Sequence, residues 1–159
     1  MSVVCGIVGS AHAGKTALAQ ALVTRLGEAG LSVGYVKHTH QDFDLDRPGS
    51  DTARVTAAGA ARVVGISPGR RFLLVTGVDD DPRLALEGLE SCEVVLVEGY
   101  HRAGWPKIRV TRVGETPREA EPPVIAEIVS ERDGRLPHHA PAVAFATIEG
   151  LLARAEGLP

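Results

Sequence analysis

The chain has 159 residues, 44% of them hydrophobic and 23% charged, with a formal net charge of −3. This is the size and balance of a single globular domain with a real core, and residues 1–159 are expected to form one. The weak negative charge argues against a general affinity for nucleic acid or anionic membrane, and no apolar run is long enough to cross a bilayer.

In chain order, the apolar run Val3 to Val8 is expected to be a buried first strand. It has no basic region before it, so it does not read as a secretory signal. Gly9-Ser10-Ala11-His12-Ala13-Gly14-Lys15-Thr16 follows and fits the phosphate-loop pattern G-x-x-x-x-G-K-[ST]. Thr16 to Ala29 reads as a helix with Leu18, Leu22 and Leu26 on one face. Strand, glycine loop and helix in that order let successive backbone N–H groups curl inward toward phosphate oxygens. The helix start adds its free N–H groups and partial positive charge. The nucleotide-binding set is therefore Gly9, Ala11, Ala13, Gly14, Lys15, Thr16 and Ala17. Lys15 reaches toward the β- and γ-phosphates, and the Thr16 hydroxyl toward Mg²⁺.

Val33 to Val36 reads as a second strand, followed by a polar segment from Lys37 to Ser50. Asp51 to Ala58 is a short helix candidate. Arg62 to Ile66 and Arg71 to Thr76 form a hairpin about Ser67-Pro68-Gly69-Arg70. Asp81-Pro82 is expected to open a helix running to Glu90. Val94 to Val97 is a four-residue apolar run typical of a central strand. Lys107 to Arg112 and Val124 to Val129 are further strands. Ala142 to Phe145 is expected to be a last short strand and Thr147 to Ala155 a closing helix. Alternating strands and helices give an α/β fold: a phosphate-loop NTPase with a mostly parallel twisted sheet, helices on both faces and a hairpin insertion. Cys5 and Cys92 fall in predicted strands without a C-x-x-C pair, so reduced thiols in a cytoplasmic protein are expected.

Parallel sheets bind ligands beyond the carboxyl ends of their strands. The Val94–Val97 run ends in Glu98-Gly99, an acid placed to hold Mg²⁺ directly or through water, with Gly99 letting the backbone pass close to the terminal phosphate. The second strand ends in Lys37-His38-Thr39-His40, followed by Asp42, Asp44, Asp46 and Asp51. Three readings are open for this stretch: a substrate- or Mg²⁺-facing loop, a transition-metal site using His38 and His40, or a solvated polar loop. Glu98 to Lys107 forms a third cluster, with the single tryptophan, Trp105. Only three lysines stand against fourteen arginines. Two readings are open: a coding bias toward arginine leaves Lys15, Lys37 and Lys107 where a compact ammonium serves and a planar guanidinium does not, or three positions are too few to carry meaning. The Asn-Lys-x-Asp segment of many guanine pockets does not occur in the sequence; Glu127, Glu131 or Asp133 are the carboxylates in reach of that role.

Taken together, several stretches resemble the molybdopterin-guanine dinucleotide biosynthesis protein B (MobB) family. They are Gly9 to Thr16, Lys37-His38-Thr39-His40, Phe43-Asp44-Leu45-Asp46, Pro48-Gly49, Asp51-Thr52, Ala58-Gly59-Ala60, Val97-Glu98-Gly99-Tyr100 and Pro106-Lys107-Ile108. The likeness covers about the first two-thirds of the chain. This chain has Ser50 and His101 where the family commonly has lysine. The resemblance implies a cytoplasmic, dimeric GTP- and Mg²⁺-binding adaptor with at most weak GTPase activity. Such a protein assists a MobA-like enzyme that joins GMP to molybdopterin, with no nucleic acid or membrane partner and possible contact with molybdopterin itself. Carried onto this sequence, Lys15 and Glu98 are the catalytic-type residues, and Thr16 and Glu98 the metal ligands. Lys37, His38, Asp44, Asp46, Asp51 and Gly99 line the nucleotide. A small-molecule kinase and a metal-insertion GTPase using His38 and His40 are the alternatives.

Overall fold

The computed structural model describes residues 2–41, 46–117, 120 and 123–157. The chain divides into two compact units, Met1–Thr39 with Pro82–Pro159, and His40–Asp81.

The first unit is built on a five-stranded sheet. Its strands are β1 (Val3–Gly9), β2 (Val33–Lys37), β5 (Val94–Glu98), β6 (Lys107–Arg112) and β7 (Val124–Ser130), in the order β2-β5-β1-β6-β7. Every pairing is parallel. β1 and β5 are buried nearly throughout, as their unbroken apolar runs require of central strands. Two helices, α1 (Lys15–Glu28) and α3 (Ala140–Ala155), cover one face. Leu18, Leu22 and Leu26 from α1 and Ala140, Ala144 and Ile148 from α3 join Cys5, Ile7, Leu96, Ile108 and Val110 in one core. Each fully buried leucine or isoleucine contributes about 1.5–3 kcal/mol relative to exposure. On the other face the segment carrying a 3₁₀ turn at Leu84–Leu86 brings Leu89 and Cys92 over Gly34, where a Cβ would sit 3.2 Å from both side chains. The same face holds Lys107, fully buried opposite Gly6.

The second unit holds α2 (Asp51–Ala57) and an antiparallel hairpin of β3 (Arg62–Ser67) and β4 (Arg70–Val75). Ser50 caps α2, its hydroxyl accepting from the Ala53 N–H at 3.1 Å. A lysine could not make that bond. Val63 is buried, whereas Val64, Ile66 and Leu73 are exposed.

The mostly parallel α/β sheet and the hairpin insertion stand as read from sequence. Three local expectations do not. No α-helix forms over 82–90: only the 3₁₀ turn does, because Gly88 turns the chain at φ 80° and the Glu90 carboxylate takes its N–H at 3.0 Å. Ala142 to Phe145 is not a strand but part of α3, which Pro141 opens; its buried residues recur at 140, 144 and 148, a helical period. Cys92 lies before β5 rather than within it.

Candidate functional site

The phosphate-loop sequence forms the turn between β1 and α1. Gly9 ends β1, and Gly14 stands at the helix N-cap with φ 95°. No side chain caps that helix start, which leaves its N–H groups for a ligand. Ala13 is buried and Ala11 and Ala17 are exposed. Lys15 folds back over the turn, its Nζ donating to the Ser10 carbonyl at 2.7 Å. His12, a non-glycine residue, holds φ 59° in the middle of the turn.

The carboxyl ends of β1, β2 and β5 meet beside this loop. Their register sets Ile7 and Lys37 on either side of Glu98. Glu98 is the one buried carboxylate among the described residues. Its Oε2 accepts from the Thr16 hydroxyl at 2.9 Å and from the Tyr35 hydroxyl at 2.8 Å. Its Oε1 accepts from Lys37 Nζ at 2.8 Å. Burial works to raise the Glu98 pKa. The three hydrogen bonds and the Lys37 charge outweigh it and hold the carboxyl below its ordinary value, so it stays ionised. Burial, followed by the Glu98 carboxylate, pushes the Tyr35 phenol up, so it remains a donor.

Behind Glu98 the chain turns sharply. A Cβ at Gly99 would lie 2.8 Å from the Cβ of His38, so only glycine admits the close approach of the two strand ends. His38 stacks on Tyr100 with ring centroids 4.0 Å apart, and Trp105 meets Tyr100 edge-on at 6.0 Å. Lys107 ties this loop from below, its ammonium donating to the carbonyls of Ala103 and Trp105. Its stem needs Gly6, where a Cβ would come within 2.9 Å of Lys107 Cγ.

The structure thus brings together Gly9, Ala11, Ala13, Gly14, Lys15, Thr16, Ala17, Lys37, His38, Glu98 and Gly99. Asp46 and Asp51 belong to the second unit and serve α2 there. Hydrogen bonds from Thr52, then Ser50 and the Arg47 N–H, hold Asp46 below the ordinary carboxylate range. Asp51 opens the helix 3.9 Å from Arg54. Asp44 lies outside the described residues. Of the carboxylates weighed for a base, Glu127 is engaged by Arg109 at 2.8 Å and Asp133 by Arg135 at 3.4 Å.

Sequence reading missed two partners. Tyr35 lies two residues before Lys37, on the same side of β2, and period-two alternation could have found it. Glu115, in the turn after β6, accepts from the Ser10 hydroxyl at 2.7 Å and pairs with Arg112. Nothing in the local sequence announces a bond across so long a stretch of chain.

A family model described as molybdopterin guanine dinucleotide synthesis protein B matches residues 4–131. The molybdopterin-guanine dinucleotide biosynthesis adapter protein of Escherichia coli (strain K12) is 35% identical over 114 residues, 68% of this chain and 65% of that protein. The protein of the same name from Haemophilus influenzae is 30% identical over 114 residues, covering 67% and 62%. The matches thus span a little under two thirds of the length of these relatives. The crystal structure of Bacillus subtilis MobB has a TM-score of 0.68 at 22% identity, covering 94% of this chain and 97% of that one. A crystal structure of molybdopterin-guanine biosynthesis protein B has the same TM-score at 24% identity, covering 94% and 99%. These structural likenesses show a shared fold, and with the sequence matches they lead to one conclusion: the chain belongs to the MobB family.

Proposed function

We propose that this protein is a GTP-binding adaptor that assists a MobA-like enzyme in attaching GMP to molybdopterin. The observation that carries the reading is the junction of Thr16 with the buried Glu98 beside a loop closed by Lys15. Its relatives' name, adapter protein of molybdopterin-guanine dinucleotide biosynthesis, supplies the pathway. The amides of residues 11–17 and the Lys15 ammonium hold the triphosphate. The Thr16 hydroxyl and Glu98 carboxylate are hard oxygen donors and fit Mg²⁺, which keeps most of its waters. When bound, Mg²⁺ neutralises charge on the phosphates.

Lys37 and Tyr35 keep the Glu98 carboxylate ionised and fixed. Both oxygens of that carboxylate accept from protein donors, which suits a fixed electrostatic role beside the loop and so a carrier role. The preference for GTP over ATP rests on the family resemblance and on no residue of this chain. The protein acts in the cytoplasm as a homodimer. Calorimetric titration with GTP and ATP in Mg²⁺ tests the reading, with GTP expected to bind and Lys15→Ala to abolish binding. A clear preference for ATP, or full affinity in Lys15→Ala, would overturn it. Co-purification with a guanylyl-transferring enzyme in GTP tests the adaptor role.

A further inference from the structure

We propose that Gly134, in the turn between β7 and α3, is a positioning residue for the phosphate loop. This rests on nucleotide binding at that loop. Gly134 lies beyond the residues that the family model matches.

The two segments interlock backbone to backbone. A Cβ at Gly14 would lie 2.5 Å from the Gly134 carbonyl oxygen and 3.2 Å from Leu136 Cδ2. A Cβ at Gly134 would fall on the His12 carbonyl oxygen. The turn is held by its own hydrogen bonds. The Glu131 N–H donates to the Arg135 carbonyl and the Gly134 N–H to the Glu131 carbonyl, both at 2.9 Å. The Asp133 carboxylate accepts from the Arg135 N–H at 3.0 Å. Leu136 packs against the core.

The strained member of the loop is His12, at φ 59°. A left-handed non-glycine residue persists where its surroundings over-determine it. The Gly134 turn supplies that constraint from outside, at His12 and Gly14 together. It therefore sets the curl in which the loop amides point inward before an anion arrives, which spares ordering on binding.

The test compares Gly134→Ala with Gly30→Ala. Gly134 has φ 81° and Gly30 φ 83°, so alanine meets a left-handed φ at both. At Gly30 the new Cβ meets nothing within 4 Å. Mg·GTP affinity is expected to fall about tenfold or more in Gly134→Ala, the loss of one charge-assisted amide contact, and to stay at the wild-type value in Gly30→Ala. Amide hydrogen exchange at residues 12–14 is expected to quicken only in Gly134→Ala. Wild-type affinity in Gly134→Ala, or equal losses in both variants, would overturn the proposal. Should Gly134→Ala fail to fold, Leu136→Ala replaces it. That variant removes the side chain resting on Gly14 without backbone strain, and unchanged loop exchange and affinity would again refute. A wild-type protein that binds neither GTP nor inorganic tripolyphosphate would refute nucleotide binding itself, a result distinct from a loss confined to the variant.

Discussion

Glu98→Gln keeps the size of the side chain and removes its charge. Three donors address Glu98 at 2.8–2.9 Å. Replacing charge-assisted bonds by neutral ones loses about 1 kcal/mol each, or about 3 kcal/mol in all. Relief from burying a charge offsets part of this, and Lys37, half exposed, contributes less than its geometry suggests. The net cost is about 1–2 kcal/mol, a fall in Tm of about 3–6 °C for a chain of this size. Folding lowers the Glu98 pKa from its ordinary 4.5. Its stabilisation is therefore complete above that value and is lost as pH falls through the lower folded value. The Tm gap between wild type and Glu98→Gln should be wide at pH 7 and should narrow in acid as the pH falls below the ordinary value of 4.5 and through the lower folded value. Thermal unfolding across pH measures it, and a gap that is constant or widens in acid would refute the assigned network. In calorimetry, the variant should bind GTP with little dependence on Mg²⁺. An undiminished Mg²⁺ effect would remove Glu98 from the metal site.

Glu115→Ala should lower GTP affinity about three- to tenfold by releasing Ser10, with little change in Tm because the Arg112 pair is partly exposed; unchanged affinity would refute a role at the loop. Lys107→Met should cost about 1–3 kcal/mol in denaturant unfolding, because the Ala103 and Trp105 carbonyls lose their donor. Trp105 emission should shift to the red as its loop loosens, and Lys107→Arg should not restore it, since the planar guanidinium does not reproduce the compact ammonium's bonds to the Ala103 and Trp105 carbonyls. Leu22→Ala, in the core of α1, should cost about 2–5 kcal/mol while GTP affinity persists; equal loss of both would mean that core and site are not separable.

The phosphate loop and the strand ending in Glu98 were legible because each is carried by contiguous residues. The loop needs glycines and a lysine at fixed spacing, and a central strand needs an unbroken apolar run. Lys37 stood out by type, but its pairing with Glu98 depends on β2 lying beside β5, which local sequence does not encode. Glu115 and Gly134 escaped for the same reason, since each meets the loop only after the chain has folded back. The misread start of α3 has a different cause. Ala142 to Phe145 is a short apolar run, and such a run fits a strand or a buried helix equally until its neighbours at 140 and 148 are counted. At 82–90 Asp81-Pro82 is a good helix start, but Gly88 turns the chain before a helix can continue.

The placement of β1 at the centre of the sheet bears on how the protein is made. Val3 and Gly6 leave the ribosome well before their neighbours Val94 and Lys107. Until then the most apolar strand of the nascent chain has no edge to join, and helix α1 has no floor to rest on. Closure must wait for such distant partners, a topology that slows folding and prolongs exposure to aggregation. The nucleotide-binding bend is thus synthesised well before the strands that flank it in the folded sheet.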